Sequence, residues 1–288
     1  MWDILRRGVR YPDRILPYIY NNLKLRYHRI RSGRFHTVST NGFELTVDLD
    51  DSGVSRQLIR DGVREPVTTA GYTSTLKSKF SNRDSVTVLD LGANIGYYAL
   101  QPVAQLDGQV NVVAVEPVPR NVELLKKNVE RNGFDDAVTV VEAAVASEKR
   151  TLELYTSGYS NLFTPSERAA QQNDLITEER AIEVEARPVS SILDQCELDA
   201  ADVDVLRFDV DGYEHEIIES ARVIFEEADE LLINVELHPP YLTRDELTEV
   251  IDLLTERPVE IISASPEIDG LTDCYGQDHA YELVLWRG

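Results

Sequence analysis

From residue 86 onward, short apolar runs rich in β-branched residues alternate with helical stretches, and few architectures accommodate that alternation. Residues 86–91 (VTVLDL) form an apolar run that ends at a glycine turn, as a buried parallel strand does. A helical stretch follows over 95–105, then a strand over 111–115 (NVVAV) and a helix over 120–132, closed by Gly133. Residues 138–145 read as a third strand, and 151–155 (TLELY) with 182–187 (IEVEAR) as added β-structure. The next core strand is 203–208 (VDVLRF), followed by a helix over 214–227 and a strand over 230–237. Thr243 caps a helix over 244–256; strands over 259–263 and 281–286 (YELVLW) end the chain. Such alternation implies βαβ crossovers and a mainly parallel sheet with helices on both faces. Ligands in such sheets bind at the carboxyl ends of the strands, so chemistry is sought just after each one. Upstream, residues 43–49 (FELTVDL) alternate like a strand, and 57–79 is a mixed segment.

Charge divides the chain in two. Residues 1–34 carry nine Arg and Lys against Asp3 and Asp13, within a chain of net charge −22. The remainder holds 20 basic and 49 acidic residues. Aromatic and aliphatic residues, among them Trp2, Ile19, Leu23 and Tyr27, interleave with the cations of the head. We therefore read residues 1–40 as a basic amphipathic segment and 41–288 as the main domain. A helix of that kind can lie on an anionic membrane surface through residues 1–34, or fold back onto the acidic body. The body repels phosphate, which disfavours nucleic acid as a partner. Only six of the 29 cations are lysines, a halophile-like balance suited to a salt-rich cytoplasm. Cys196 and Cys274 show no metal or disulfide spacing, and no run is apolar enough to span a bilayer. With no signal-peptide pattern either, the expected location is cytoplasmic, at the inner face of the membrane if the head docks there.

After the first core strand stands Asp90-Leu91-Gly92-Ala93-Asn94-Ile95-Gly96. Its two glycines let the backbone turn tightly and approach a ligand. It is neither GxGxxG nor GxxxxGK[ST], and an acid at 90 would repel a pyrophosphate. That acid suits a ligand bearing an ammonium and a sulfonium. The second strand ends in Glu116, placed to accept hydrogen bonds from ribose hydroxyls. After the third, Glu142 and Ala143 occupy the position of an adenine edge.

Residues 88–100 (VLDLGANIGYYAL), 115–128 (VEPVPRNVELLKKN), 208–214 (FDVDGYE) and 235–238 (VELH) together resemble the FkbM methyltransferase family. Residues 54–58 (VSRQL) and 64–67 (REPV) are similar to the segment that precedes its core. The resemblance covers roughly residues 45 to 285. It implies a Rossmann-like class I methyltransferase fold with a mainly parallel seven-stranded sheet. It also implies transfer of the methyl group of S-adenosylmethionine, usually to an oxygen of a sugar or secondary metabolite. Asp90, Gly92, Asn94, Gly96, Glu116 and Glu142 are cofactor residues by that resemblance, with Ala93 and Ala143 beside them. The chain departs from the family pattern at Asp211, where Glu is common, and at Arg207, where Lys is usual.

Asp209, Asp211 and Glu214 follow the fourth core strand; Glu236 and His238 end or follow the fifth. If those strands are neighbours, the groups surround one cleft. His238 is then the general base, with Asp209 and Glu236 as further catalytic candidates. Alternatively Asp209, Asp211, Glu236 and His238 hold a divalent cation. Ser160 and Asn161 fall in an insertion placed to cover a substrate. The expected function is O-methylation of a glycan or sugar-containing small molecule. An NAD-dependent oxidoreductase or epimerase would need GxGxxG, and a membrane-docked binding module would need the cofactor acids replaced. The acceptor, the oligomeric state and the metal requirement are left open by the sequence.

Overall fold

The computed structural model describes residues 15–51, 53–156, 163–173 and 181–288. Helix α1 (Ile15–Ser32) leads into an antiparallel hairpin, β1 (Phe35–Thr40) and β2 (Phe43–Asp48). Asn41 and Gly42 make its turn with φ of 44° and 89°, the left-handed pair that matches a two-residue turn to the strand twist. The sequence reading anticipated only the second strand. β1 is polar (HTVST), and its signal was the Asn-Gly pair rather than an apolar run. The expected domain boundary between residues 40 and 41 falls inside this turn. Residues 1–14, with Trp2 and the first four arginines, lie outside the described residues, as do Ser160 and Asn161.

The mixed segment resolves into two helices, α2 (Val54–Asp61) and α3 (Pro66–Phe80). α3 buries Tyr72, Leu76 and Phe80 along one face, but that stripe is interspersed with hydroxyls and small residues that pack as well. Thr68, Thr69 and Thr75 are buried, and a Cβ on Gly71 would stand 2.9 Å from the Ser263 Cβ. The alternating region then runs β3 (Ser85–Leu91), α4 (Gln101–Gln105), β4 (Gln109–Val115), α5 (Pro119–Asn132) and β5 (Val138–Val141). Next come β6 (Ala144–Val145), β7 (Arg150–Thr156), β8 (Phe163–Thr164), α6 (Glu167–Gln172), β9 (Ala181–Arg187) and α7 (Val189–Gln195). The last part holds β10 (Val205–Phe208), α8 (Glu214–Ser220), α9 (Arg222–Glu227), β11 (Leu231–Leu237), α10 (Arg244–Thr255), β12 (Glu260–Ser265) and β13 (Tyr281–Arg287).

Seven strands form one sheet in the order β12-β13-β11-β10-β3-β4-β5. The run from β11 to β5 is parallel, and β13 lies antiparallel between β11 and β12. A separate sheet, β6-β9-β7-β8, holds the added β-structure. Successive residues of the central strands feed opposite faces, as the pleat requires. Leu89, Val113 and Leu206 join one core layer with Ile192, Ile217, Phe225 and Leu254. Val88, Val112 and Val205 join the other with Leu58, Tyr72, Leu76 and Leu125.

Three sequence expectations change in detail. The helix expected over 95–105 is confined to Gln101–Gln105, because Asn94 and Gly96 adopt φ of 52° and 95° and hold the preceding residues in turns. The strand expected over 138–145 divides between the two sheets at Glu142. The helix over 214–227 is two helices that meet at Ala221. The helix terminators read correctly. Gly133 closes α5 at φ 67°, and Thr243 with Glu246 forms a reciprocal capping box at the start of α10.

Asn128, fully buried on α5, ties the hairpin to the core. Its Oδ1 accepts from Thr46 N at 2.6 Å, and its Nδ2 donates to Ile95 O at 2.8 Å, in the turn that follows β3. Asn128→Ala should leave both backbone groups buried without partners and destabilise the protein by about 2–4 kcal/mol. Urea denaturation checks this, and an unchanged midpoint would show that the tie carries no stability.

Candidate active site

A cleft of about 870 Å³, solvent at its mouth included, opens at the carboxyl ends of β3, β4, β5 and β10. Its floor is the turn after β3. A Cβ on Gly92, at φ 90°, would come within 2.5 Å of Asp209 O, so only glycine lets these strand ends approach. The N–H groups of Gly92 and Ala93 both donate to Val115 O at 2.9 Å, and that of Asn94 donates to Glu116 Oε2 at 2.8 Å. The amides of this turn are thus spent on β4 and its terminal acid, and no helix N-terminus follows directly. A pyrophosphate would find none of the donors that a dinucleotide fold offers it.

Glu116 lines the cleft and is 4% exposed. Its Oε1 accepts from Val118 N at 3.0 Å and from Asn121 Nδ2 at 3.2 Å. Burial pushes its carboxyl up to about 7, although these hydrogen bonds pull it down. Two carboxylate oxygens offer about four acceptor sites, so the three bonds leave room for roughly one more donor from the cleft. Beside it, Val118, Ala143, Ala144, Val145, Leu152 and Leu154 make an apolar wall. Glu142 is exposed and does not line the cleft, whereas Ala143 does.

Asp90 is 1% exposed and faces a protein cation instead of the cleft. Arg207 Nη1 donates to Asp90 Oδ1 at 2.9 Å and to Gly92 O at 3.1 Å, and Nη2 donates to Asp209 Oδ2 at 2.6 Å. Arg64 reaches the same Asp209 oxygen at 3.2 Å and Glu236 Oε2 at 3.4 Å. It is aimed there by Glu65, which pairs with it and sits at φ 45°, a conformation that costs a non-glycine residue of order 1 kcal/mol. Burial would raise Asp209, but Arg207 and Arg64 overcome it and hold the carboxyl at about 2. Glu236 moves the other way: burial, then the neighbouring Asp209 charge, pushes it up to about 8.

β10 and β11 are neighbours, so the residues after them do converge. His238 is buried and stacks on Tyr241 with ring centroids 5.5 Å apart and planes 9° from parallel. Its Nδ1 lies 2.6 Å from Glu214 Oε1; its Nε2 lies 3.2 Å from Asp211 Oδ1 and 3.4 Å from Glu236 Oε1. Burial would lower its pKa, yet these carboxylates raise it well above the ordinary value. Both ring nitrogens of His238 are engaged by carboxyl groups that favour its charged form, and Asp209 and Asp211 are the acids that line the cleft. Among the described residues no group of three or more His, Cys, Asp or Glu is arranged to hold a metal ion. Arg64 and Arg207 supply the positive charge that these carboxylates balance. Both arginines, with Tyr97 and Tyr98, line the cleft and were not singled out as site residues from sequence. The available signal was Arg207 itself, a cation inside an apolar strand run.

Sheet order, with one antiparallel strand in an otherwise parallel run, and the family match below define a Rossmann-like class I methyltransferase fold. Residues 90–259, more than half of the chain, match the Methyltransferase FkbM domain, and the chain belongs to that family. Among solved structures it is similar to the methyltransferase FkbM of Methylobacillus flagellatus KT, at 17% identity and TM-score 0.43, over 79% of this chain and 52% of that one. It is also similar to the precorrin-6y C5,15-methyltransferase of Geobacter metallireducens GS-15, at 16% identity and TM-score 0.39, over 75% and 87%. The tRNA m1G37 methyltransferase of M. jannaschii matches at 14% and 0.44, over 88% and 56%. The chain thus spans about half the length of the Methylobacillus protein. No curated protein matches it.

Raised carboxyls set a pH dependence. Glu116 and Glu282 lie at about 7 and Glu236 at about 8. A folded pKa above the unfolded one favours folding at pH below the unfolded value, and that gain disappears as pH rises through the folded value. The ligand-free protein should therefore lose stability between about pH 5 and 8. Glu236→Gln should flatten the loss by about 1–3 kcal/mol, discounted for its coupling to Asp209. Urea midpoints measured across this range test it; midpoints that rise with pH would contradict the assignment.

Proposed function

We propose that this chain is an S-adenosylmethionine-dependent methyltransferase that methylates a hydroxyl of a glycan or sugar-containing small molecule in the cytoplasm. Membership in the FkbM family supports the reaction class. Glu116 carries the cofactor assignment: a buried strand-end carboxylate with one acceptor site toward an apolar-walled cleft suits a ribose hydroxyl beside a purine. Glu116, Asp209 and Asp211 line the cleft beside Arg64 and Arg207, and carboxylates so placed suit a ligand with a sulfonium and an ammonium. The acidic, lysine-poor surface supports work in a salt-rich cytoplasm.

S-adenosylmethionine, when bound, would supply a methyl group whose carbon is attacked in line by an aligned acceptor oxygen as the C–S bond breaks and S-adenosylhomocysteine leaves. Gly92, Ala93 and Asn94 shape the floor of its site, with Glu116 and Ala143 on the side walls, while Gly96 lies outside the cleft lining and packs toward Leu100 and Leu125. The proton of the acceptor hydroxyl passes to a carboxylate. Asp211 lines the cleft and backs onto His238, which in turn backs onto Glu214. In this relay His238 positions Asp211 instead of taking the proton itself. Asp209, clamped by two guanidiniums, is a fixed acceptor for a substrate hydroxyl, and Glu236 spaces it from His238. Carboxylates beside Tyr97, Tyr98 and Tyr213 are the surroundings that a polyhydroxylated ring requires.

S-adenosylhomocysteine should bind and raise the melting temperature, while NAD should not. Glu116→Ala should weaken that binding about 10- to 100-fold, and the wild-type affinity should rise with pH through about 7 as Glu116 ionises. Calorimetry showing no binding would remove the methyltransferase reading. Asp211→Asn should lower turnover roughly 10²- to 10⁴-fold with S-adenosylhomocysteine affinity intact. His238→Gln should cost less and shift the pH profile, and activity should survive EDTA. Loss with EDTA and rescue by Mg²⁺ would instead assign Asp209, Asp211, Glu236 and His238 to a cation.

A further inference from the structure

Helix α1 presents two faces of different character. The inner face touches the body: Lys24 Nζ donates to Ile59 O at 2.5 Å, Arg29 pairs with Asp50 at 2.5 Å, and His28 lies against His36 with ring centroids 3.9 Å apart. Leu25 packs on the core layer that holds Leu58 and Tyr72. The outer face carries Leu23, Tyr27 and Ile30, which are 61%, 55% and 80% exposed. Spaced by four and three residues, they form one stripe along the helix. At about 100° per residue, Arg26 and Arg31 fall on its two sides. Arg31 donates to Tyr27 OH at 2.8 Å, and neither arginine has an ion-pair partner among the described residues. In a chain with 51 acidic residues, two arginines facing outward beside three exposed apolar side chains are directed at something other than the body.

We propose that this outer face of α1 docks the protein on an anionic lipid surface. A bilayer offers both halves of the match at one depth: acyl chains for Leu23 and Ile30, and anionic headgroups for Arg26 and Arg31. Tyr27 is suited to the boundary, with an apolar ring and a polar tip already oriented by Arg31. A nucleic acid would satisfy the arginines but give Ile30 no apolar partner, and so would the acidic body of a second copy. The inner-face contacts mean that docking needs no detachment of the helix. Fold-back onto the body and membrane contact, posed as alternatives by the sequence, are compatible because they use different faces.

Co-sedimentation of the full chain with vesicles of phosphatidylcholine containing phosphatidylglycerol, against phosphatidylcholine alone, tests the proposal. Binding should require the anionic lipid and weaken as salt is raised. Arg26→Gln with Arg31→Gln should lower partitioning roughly 30-fold, about fivefold per arginine. Ile30→Ser should lower it about 10-fold, as loss of one buried aliphatic side chain implies. All these side chains are solvent-exposed, so unchanged melting and unchanged S-adenosylhomocysteine binding would certify the fold. The proposal is overturned if wild type and variants sediment equally, or if neutral vesicles bind as well as anionic ones. It is equally overturned if light scattering shows that the same substitutions dissolve a dimer while vesicle binding is absent.

Discussion

The buried guanidinium of Arg207 is the interaction on which the site depends. It projects from β10 between the ends of two parallel strands and engages Asp90 on β3 and Asp209 just beyond its own strand. A third bond, to Gly92 O, fixes the turn that floors the cleft. Arg207 also packs over the Tyr98 ring, 4.5 Å from its centroid, and Tyr98 in turn donates to Glu65. Burying three charges is costly, and removing one partner would leave the others uncompensated. Two of the pairs surround a backbone turn that only glycine can form, so the electrostatics and the backbone constrain one another.

A second constraint joins the Glu116 side of the cleft to the hairpin. Glu116 holds Asn94 N and Val118 N, so the ends of β3 and β4 share one carboxylate. Asn128 then connects that turn to β2 through Ile95 O and Thr46 N. Asp48, at the end of β2, accepts from Arg34 and Arg120 and is held below the usual carboxylate range, although burial alone would raise it. Polar groups of four segments are thereby satisfied by one another. The walls that remain for a ligand are mostly apolar, with a few directed acids.

The strand-end acids were legible because their positions follow from topology: once βαβ alternation is recognised, residues after β3, β4, β10 and β11 must share one edge of the sheet. Gly133 and Thr243 were legible for a similar reason, since capping is a local matter of residue type and spacing. β1, α2 and α3 were not, because β1 is polar and the apolar positions of both helices are interspersed with serine, threonine and charged residues. The surroundings of His238 were not legible either: a histidine after a strand reads as a base, and only the fold shows that three carboxyl groups surround its buried ring.

By itself the sequence determined the class of fold, the family, and the edge of the sheet at which the strand-end acids gather. These depend on hydrophobic period, glycine placement and short motifs, all of which act over a few residues. Tertiary structure decided which charges meet. Arg64 lies 145 positions from Asp209 and Arg207 lies 117 from Asp90, and no local pattern encodes those pairings. It also decided which face of α1 is spent on the body and which remains exposed, because that depends on where Asp50, Ile59 and His36 come to stand. The energy of a charge in a protein is set by burial and by its nearest counter-charge, and both exist only after the chain has folded.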